Sequence, residues 1–166
     1  MTTLLRYLWL FPLTVHAGYF AATCRYIPNR VGPDPGAAVS RLVFSFEWLA
    51  IVLFSNLLLF VFWKRMPHLS DKTLSVPNRE YWLTNPEHRN DLIARLQNLI
   101  ETILVLINIF FLGIYQWVYQ SNVLTPVIRL PIMLLIAGFI TFPLTLIAVY
   151  MVSLMKALKK PRPPAQ

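Results

Sequence analysis

Charged residues and cysteine are both scarce in this 166-residue chain. Asp, Glu, Lys and Arg make up 13% of it, against about 25% in an average soluble domain. The single cysteine, Cys24, excludes an internal disulfide and a cluster of thiolate metal ligands. Hydrophobic residues reach 57%, and the mean hydropathy is +0.56. These proportions indicate an integral membrane protein with room for one compact bundle of helices.

Sequence motifs for catalysis are also missing. The chain contains no glycine-rich phosphate loop, no HExxH, no CxxC and no G-x-S-x-G. A proton pathway would need two carboxylates on one buried face, but Glu47 is predicted near the outer face of the membrane and Glu101 near the inner face. We therefore expect a protein without enzymatic activity of its own.

Four apolar segments are long enough to cross a bilayer, which requires about 20 apolar residues. They cover residues 4–24, 42–63, 99–119 and 130–155. The predicted fold is therefore all-α, a single membrane domain of four transmembrane helices. A polar connector, 64–98, separates the second and third spans, and a basic, proline-rich tail follows at 156–166.

The third helix is predicted to begin outside the membrane. Asn85 is a favourable N-cap, Pro86 suits the first helical position, and Glu87 lies at the positive end of the helix dipole. No proline follows until Pro126, so the helix continues to Tyr119 over about 50 Å. That length exceeds the ~30 Å hydrocarbon core, and the helix should pass from water into the bilayer.

The distribution of basic residues predicts the orientation. Eleven of the 15 Lys and Arg residues lie in the N-terminus, the 64–98 connector and the tail, and four lie in the other two loops. Because cytoplasmic loops carry the excess of basic charge, both termini and the connector are predicted to be cytoplasmic. The net charge of +8 follows from this bias, so nucleic acid is not an expected partner. The basic tail is expected to neutralise anionic lipid headgroups.

Two short motifs resemble a known family. The run V-P-N-R-E-Y-W-L at 76–83, with Pro86, Glu87 and Arg89, and the run I-P-N-R-V at 27–31 are similar to motifs of the DUF1648 family. These are small bacterial membrane proteins, and the domain also occurs in SdpI-related immunity proteins. The resemblance implies a location in the bacterial inner membrane. It departs from the family pattern after Val31, where residues 32–36 read G-P-D-P-G.

Polar residues inside the predicted spans have a structural and a functional interpretation. An ionisable group in the bilayer is a functional candidate by default, but Glu47 can also form an ion pair with Arg41 or Arg129, and Arg129 is the favoured partner. Glu101, Asn108 and Tyr115 recur every seven residues on one helix face. We expect this stripe to face other helices and to hold them by hydrogen bonds.

His16 is the single histidine inside a predicted span. It is either a buried histidine with a hydrogen-bond partner or an axial ligand of haem or chlorophyll. The first interpretation is favoured, because His68 and His88 lie in the connector and cannot complete a bis-histidine site. Tyr81 and Trp82 are predicted to be an interfacial anchor.

Three functional classes fit these observations. The favoured one is a non-catalytic accessory subunit packed in a larger membrane complex. An SdpI-like immunity or signalling protein acting alone is the alternative, and a cofactor-binding subunit using His16 is a further one.

Overall fold

The computed structural model describes residues 10–32, 38–123 and 126–159, and within the last range the side chains of 134 and 136–159. Three of its helices are long and apolar enough to cross a membrane, namely Arg41–His68, Pro86–Val123 and Ile136–Lys159. The chain is thus a helical protein of multi-pass membrane character. Residues 4–9 of the first predicted span lie outside the described residues. Its described part has 14 residues, or about 21 Å, so the number of four spans stays a prediction.

Five helices and one short hairpin form the described architecture. Their bounds are α1 Leu10–Thr23, β1 Arg30–Val31, β2 Val39–Ser40, α2 Arg41–Arg65, α3 Arg79–Thr84, α4 Pro86–Val123 and α5 Pro126–Lys159, with 3₁₀ turns at Cys24–Tyr26 and Met66–His68. Helix α4 is central, because α1, α2, α3 and α5 all pack against it. We call the end of the bundle with β1 and β2 the hairpin end, and the opposite end the α3 end.

Helix α4 begins at Pro86 for reasons visible in the sequence. The Asn85 side-chain oxygen accepts a hydrogen bond from the Glu87 backbone N–H at 2.8 Å, and the Asn85 carbonyl accepts from Arg89 N–H at 3.0 Å. Asn85 is therefore the N-cap, in the position that the sequence assigns to it. The helix then continues for 38 residues without a break.

The hairpin end was predicted only as an irregular loop. Strands β1 and β2 pair antiparallel there, with Arg30 opposite Ser40. The pairing brings Gly32 so close to the returning chain that a Cβ at Gly32 would lie 2.8 Å from the Ala38 Cα. The Arg41 guanidinium donates to the Arg25 carbonyl at 2.9 Å and to the Ile27 carbonyl at 3.2 Å. These bonds fix the start of α2 to the end of α1.

Helices α4 and α5 approach closely at a glycine. A Cβ added to Gly113 would lie 2.8 Å from Ile140 Cγ1 and 3.2 Å from Phe139 Cδ1. A small residue at a helix–helix contact lets two backbones come together, as is common in membranes. Helix α5 is longer than the predicted span 130–155, because it begins at Pro126 and runs to Lys159. The first four residues of the predicted tail, 156–159, therefore belong to the helix.

Two clusters of buried residues stabilise the two ends of the bundle. The cluster at the hairpin end consists of Phe20, Ile27, Val31, Trp48, Val52, Phe111 and Tyr115. The cluster at the α3 end consists of Trp82, Leu92 and Leu158, from α3, α4 and α5. Because α4 contributes to both, it links the water-exposed connector to the apolar part of the bundle.

Candidate functional site

A line of polar side chains runs along one face of α4 and forms the candidate site. It comprises Glu101, Asn108, Tyr115 and Asn122, which we call the polar seam. Residues seven apart lie on the same helix face, and Asn108 and Tyr115 are fully buried. Three seam members were predicted from their spacing to face other helices, and the structure confirms that they do. Each member bonds to a different residue outside α4.

Asn108 pairs with Asn56 of α2 at the centre of the seam. Asn56 Nδ2 donates to Asn108 Oδ1 at 3.0 Å, and Asn108 Nδ2 donates to Asn56 Oδ1 at 2.8 Å. The same two amide nitrogens also donate to the carbonyls of Val52, at 2.8 Å, and Leu104, at 2.7 Å. The two amides have four N–H donors between them, and all four donate a hydrogen bond. Neither buried nitrogen is therefore unsatisfied.

Tyr115 bonds to α1 one heptad nearer the hairpin end. Its hydroxyl lies 2.9 Å from Thr23 Oγ1. Because Thr23 Oγ1 donates its own hydrogen to the Tyr19 carbonyl at 2.7 Å, the Tyr115 hydroxyl is the donor to Thr23. The Tyr115 ring contacts five aromatic side chains, including Phe20 and Trp48. The Tyr115 ring thus packs against the aromatic side chains of this region, and its hydroxyl hydrogen-bonds α4 to α1.

The two ends of the seam bond to residues near the two ends of the bundle. At the α3 end, Trp63 Nε1 donates to Glu101 Oε1 at 2.9 Å. At the hairpin end, the Gly32 backbone N–H donates to Asn122 Oδ1 at 3.4 Å. The seam therefore holds α1, α2 and the hairpin against one face of α4 over most of its length.

His16 lies beside the seam with its ring buried. Trp48 Nε1 donates to His16 Nε2 at 2.9 Å, and the two rings stack with their centroids 5.9 Å apart. A nitrogen that accepts this hydrogen bond has no lone pair left for a metal, so the bond must break before Nε2 can ligate haem or chlorophyll. The other nitrogen, Nδ1, is buried, and the described residues provide no hydrogen-bond partner for it. The geometry favours the buried histidine over the axial ligand.

Neutral groups dominate the seam, and this limits its chemistry. Among residues 10–32, 38–123 and 126–159, no three His, Cys, Asp or Glu side chains are grouped as metal ligands. The amides, hydroxyls and indoles present donate and accept hydrogen bonds to one another. This arrangement holds helices together by hydrogen bonds, as predicted for the stripe from its spacing.

Glu47 does not pair with Arg41. In the described part of the chain the two ion pairs join Arg89 to Asp71 and Arg95 to Asp91, and the Arg41 guanidinium donates to carbonyls instead. The Glu47 side chain is exposed on α2. The side chain of Arg129 lies outside the described residues, so its pairing with Glu47 stays a prediction.

Trp82 is placed differently from its predicted role as an interfacial anchor. Its side chain is 2% exposed, and its Nε1 donates to the Leu158 carbonyl at 3.2 Å. The Arg95 guanidinium lies over the Trp82 ring, with its Cζ 5.6 Å from the ring centroid. Trp82 is therefore enclosed by protein and fixes the end of α5, which corrects its assignment to the headgroup region. Tyr81 stacks on the His88 ring, with the centroids 4.2 Å apart.

Three hydrogen-bond partners were not predicted from the sequence. Asn56 and Thr23 bond to the polar seam, and Trp48 bonds to His16 beside it. Asn56 carried a usable signal, because an asparagine in the middle of a mainly apolar span implies a polar partner on another helix. Trp48 and Thr23 are common near membrane surfaces and gave no comparable signal.

No protein-family model matches this chain, and neither a curated protein nor a solved structure is significantly similar to it. The resemblance to DUF1648 proteins therefore remains an expectation from the two motifs.

Proposed function

We propose that the protein is a non-catalytic accessory subunit, held in a bacterial membrane complex by the exposed face of α2. The observation that supports this role is the position of Glu47. It is the one charged residue between Leu42 and Trp63, and its side chain points away from the residues that α2 buries, Trp48, Val52 and Asn56. A carboxylate facing lipid is costly, and a hydrogen-bond donor or cation on another chain would remove that cost.

The surroundings of Glu47 fit a contact with another membrane chain. Phe54, seven residues further along and on the same face, is 66% exposed, and the adjacent Phe46 is 74% exposed. Aromatic residues are enriched where proteins meet. An apolar face with one acidic group at a fixed depth specifies both the position and the register of a partner helix.

Photocrosslinking tests this proposal directly. Phe54→p-benzoylphenylalanine should give a discrete product heavier than the chain when cells are irradiated. Phe142 is also exposed, at 62%, but belongs to α5, and the same replacement there is the control. A product at twice the chain mass would indicate self-association, and labelling by lipid alone at both sites would indicate no partner. Either result would overturn the proposal.

A second experiment separates a partner from the predicted Arg129 pair. Glu47→Gln should reduce the amount of partner retained on purification, without changing the stability of the isolated chain. Glu80→Gln, an exposed acid in α3, should change neither. If Glu47 instead pairs with Arg129 within the chain, Arg129→Leu should lower the stability of the isolated chain more than Glu47→Gln does, and the double change should recover much of the loss.

A further inference from the structure

A groove between α1, α4 and α5 is open to the surroundings and mainly apolar, unlike the buried polar seam. Its volume is about 430 Å³, and it is lined by Tyr19, Leu112, Gln116, Ile136 and Phe139. This falls within the roughly 300–1,000 Å³ of typical ligand pockets. Phe139 is 47% exposed, so the groove opens sideways toward the membrane rather than into water.

The lining changes from polar to apolar along the helix axis. Tyr19 and Gln116, whose side chains hydrogen-bond to each other, form the polar part. Gln116 lies roughly 10 Å from the end of α4, and Leu112 is roughly 6 Å deeper. Leu112, Ile136 and Phe139 are the apolar lining residues. The two polar groups thus lie nearer the membrane surface than Leu112 does, and Ile136 on α5 provides an apolar wall at about their level.

The Gln116 amide has hydrogen-bonding capacity that the described residues do not use. Its oxygen accepts from the Tyr19 hydroxyl, and no bond from its nitrogen is found within residues 10–32, 38–123 and 126–159. An amide N–H without an acceptor in an apolar setting costs free energy. A carbonyl oxygen entering from the membrane would remove this cost.

We propose that the groove binds one acyl chain of a membrane phospholipid, with the ester carbonyl accepting a hydrogen bond from the Gln116 amide. The polarity of the groove matches the polarity of a lipid in that leaflet, with the ester toward the surface and the chain toward the centre.

Native mass spectrometry of the full chain, released from phosphatidylcholine vesicles in mild detergent, tests the site. The chain should retain one ester-linked phosphatidylcholine and should retain the ether-linked analogue about threefold less, the factor expected for one intramembrane hydrogen bond. In Gln116→Leu, the ester and ether lipids should be retained equally. Equal retention of both lipids by the unsubstituted chain would overturn the role of Gln116.

Filling the groove provides the second measurement. Leu112→Trp should abolish retention of the lipid, whereas Leu134→Trp should not, because Leu134 is 67% exposed on α5 and does not line the groove. Phe139→Trp serves if Leu112→Trp fails to fold. A diazirine near the end of the acyl chain should label α4 and α5 near Leu112 and Phe139. Labelling spread evenly over the exposed faces of α2 and α5, or crosslinks to a second protein chain, would contradict the proposal.

Discussion

The carboxamides of Asn56 and Asn108 bond to each other in both directions, with nitrogen–oxygen distances of 3.0 and 2.8 Å. The two side chains come from α2 and α4 and are both buried. A reciprocal pair of this kind can form at only one relative position of the two helices along their axes. If one helix slides by a single turn, about 5.4 Å, both bonds are lost and four polar atoms remain in an apolar interior. The pair therefore fixes the relative height of α2 and α4.

Asn108→Leu should lower the free energy of unfolding by about 1–2 kcal/mol, because it leaves the Asn56 amide buried without its partner. Replacing both residues by Leu should cost less than the sum of the single changes, since neither leaves an orphan. Reversible unfolding in mixed detergent micelles measures this. Ser55→Ala is a suitable control, because the Ser55 hydroxyl donates to the Ile51 carbonyl of its own helix. Strict additivity of the two Leu substitutions would contradict the pairing.

Gly113→Ala and Gly138→Ala should change stability in opposite directions. The new methyl group at 113 would meet Ile140 at 2.8 Å, and such overpacking costs about 1–3 kcal/mol. The methyl group at 138 would meet nothing within 4 Å, and alanine is favoured over glycine within a helix by roughly 0.5–1 kcal/mol. Thermal unfolding of the two variants gives the comparison. Equal effects at both positions would mean that α4 and α5 do not touch at Gly113.

Asn85→Ala should destabilise the start of α4 by about 1 kcal/mol through loss of the cap. Amide hydrogen exchange should then accelerate from Glu87 to Arg95 and stay unchanged beyond Glu101. Asn90→Ala is the matched control, because Asn90 is exposed within the same helix and caps nothing there. Exchange in the unsubstituted chain at 87–95 as fast as in the 66–76 segment would show that the helix does not extend beyond the bilayer.

The predicted orientation is tested by cysteine labelling in a Cys24→Ala background. Cysteines at Asp34 and at Lys72 should react with an impermeant reagent from opposite sides of the membrane, with the Lys72 position accessible only from the cytoplasm. Labelling of both positions from the same side would contradict the topology and with it the number of spans between them.

Local signals in the sequence predicted some parts of this fold closely and others poorly. Asn85 and Pro86 predicted the start of α4, because capping depends on adjacent residues alone. The seven-residue spacing predicted that Asn108 and Tyr115 share a buried face. The sequence around Trp82 could not predict that it is buried, because its partner Leu158 is 76 residues away. A tryptophan anchored at the membrane surface would have the same local sequence.

The hairpin end shows the same limit. The sequence predicted only a loop between the first two spans, because strand pairing between Arg30 and Ser40 depends on how α1 and α2 are placed. Asn56 was passed over for a related reason. An isolated asparagine in an apolar segment indicates that a partner exists, but not which helix supplies it.

The arrangement of the polar seam also constrains how the chain assembles during synthesis. Helices α1 and α2 precede α4 in the sequence, and the partners of Asn56 and Thr23 belong to α4. Until that helix is inserted, the oxygen and one N–H of the Asn56 amide need temporary partners from water or the insertion machinery, whereas the Thr23 hydroxyl can already donate to the Tyr19 carbonyl of its own helix. The His16–Trp48 bond, in contrast, lies between α1 and α2. It can form first and hold α1 and α2 together before α4 is inserted.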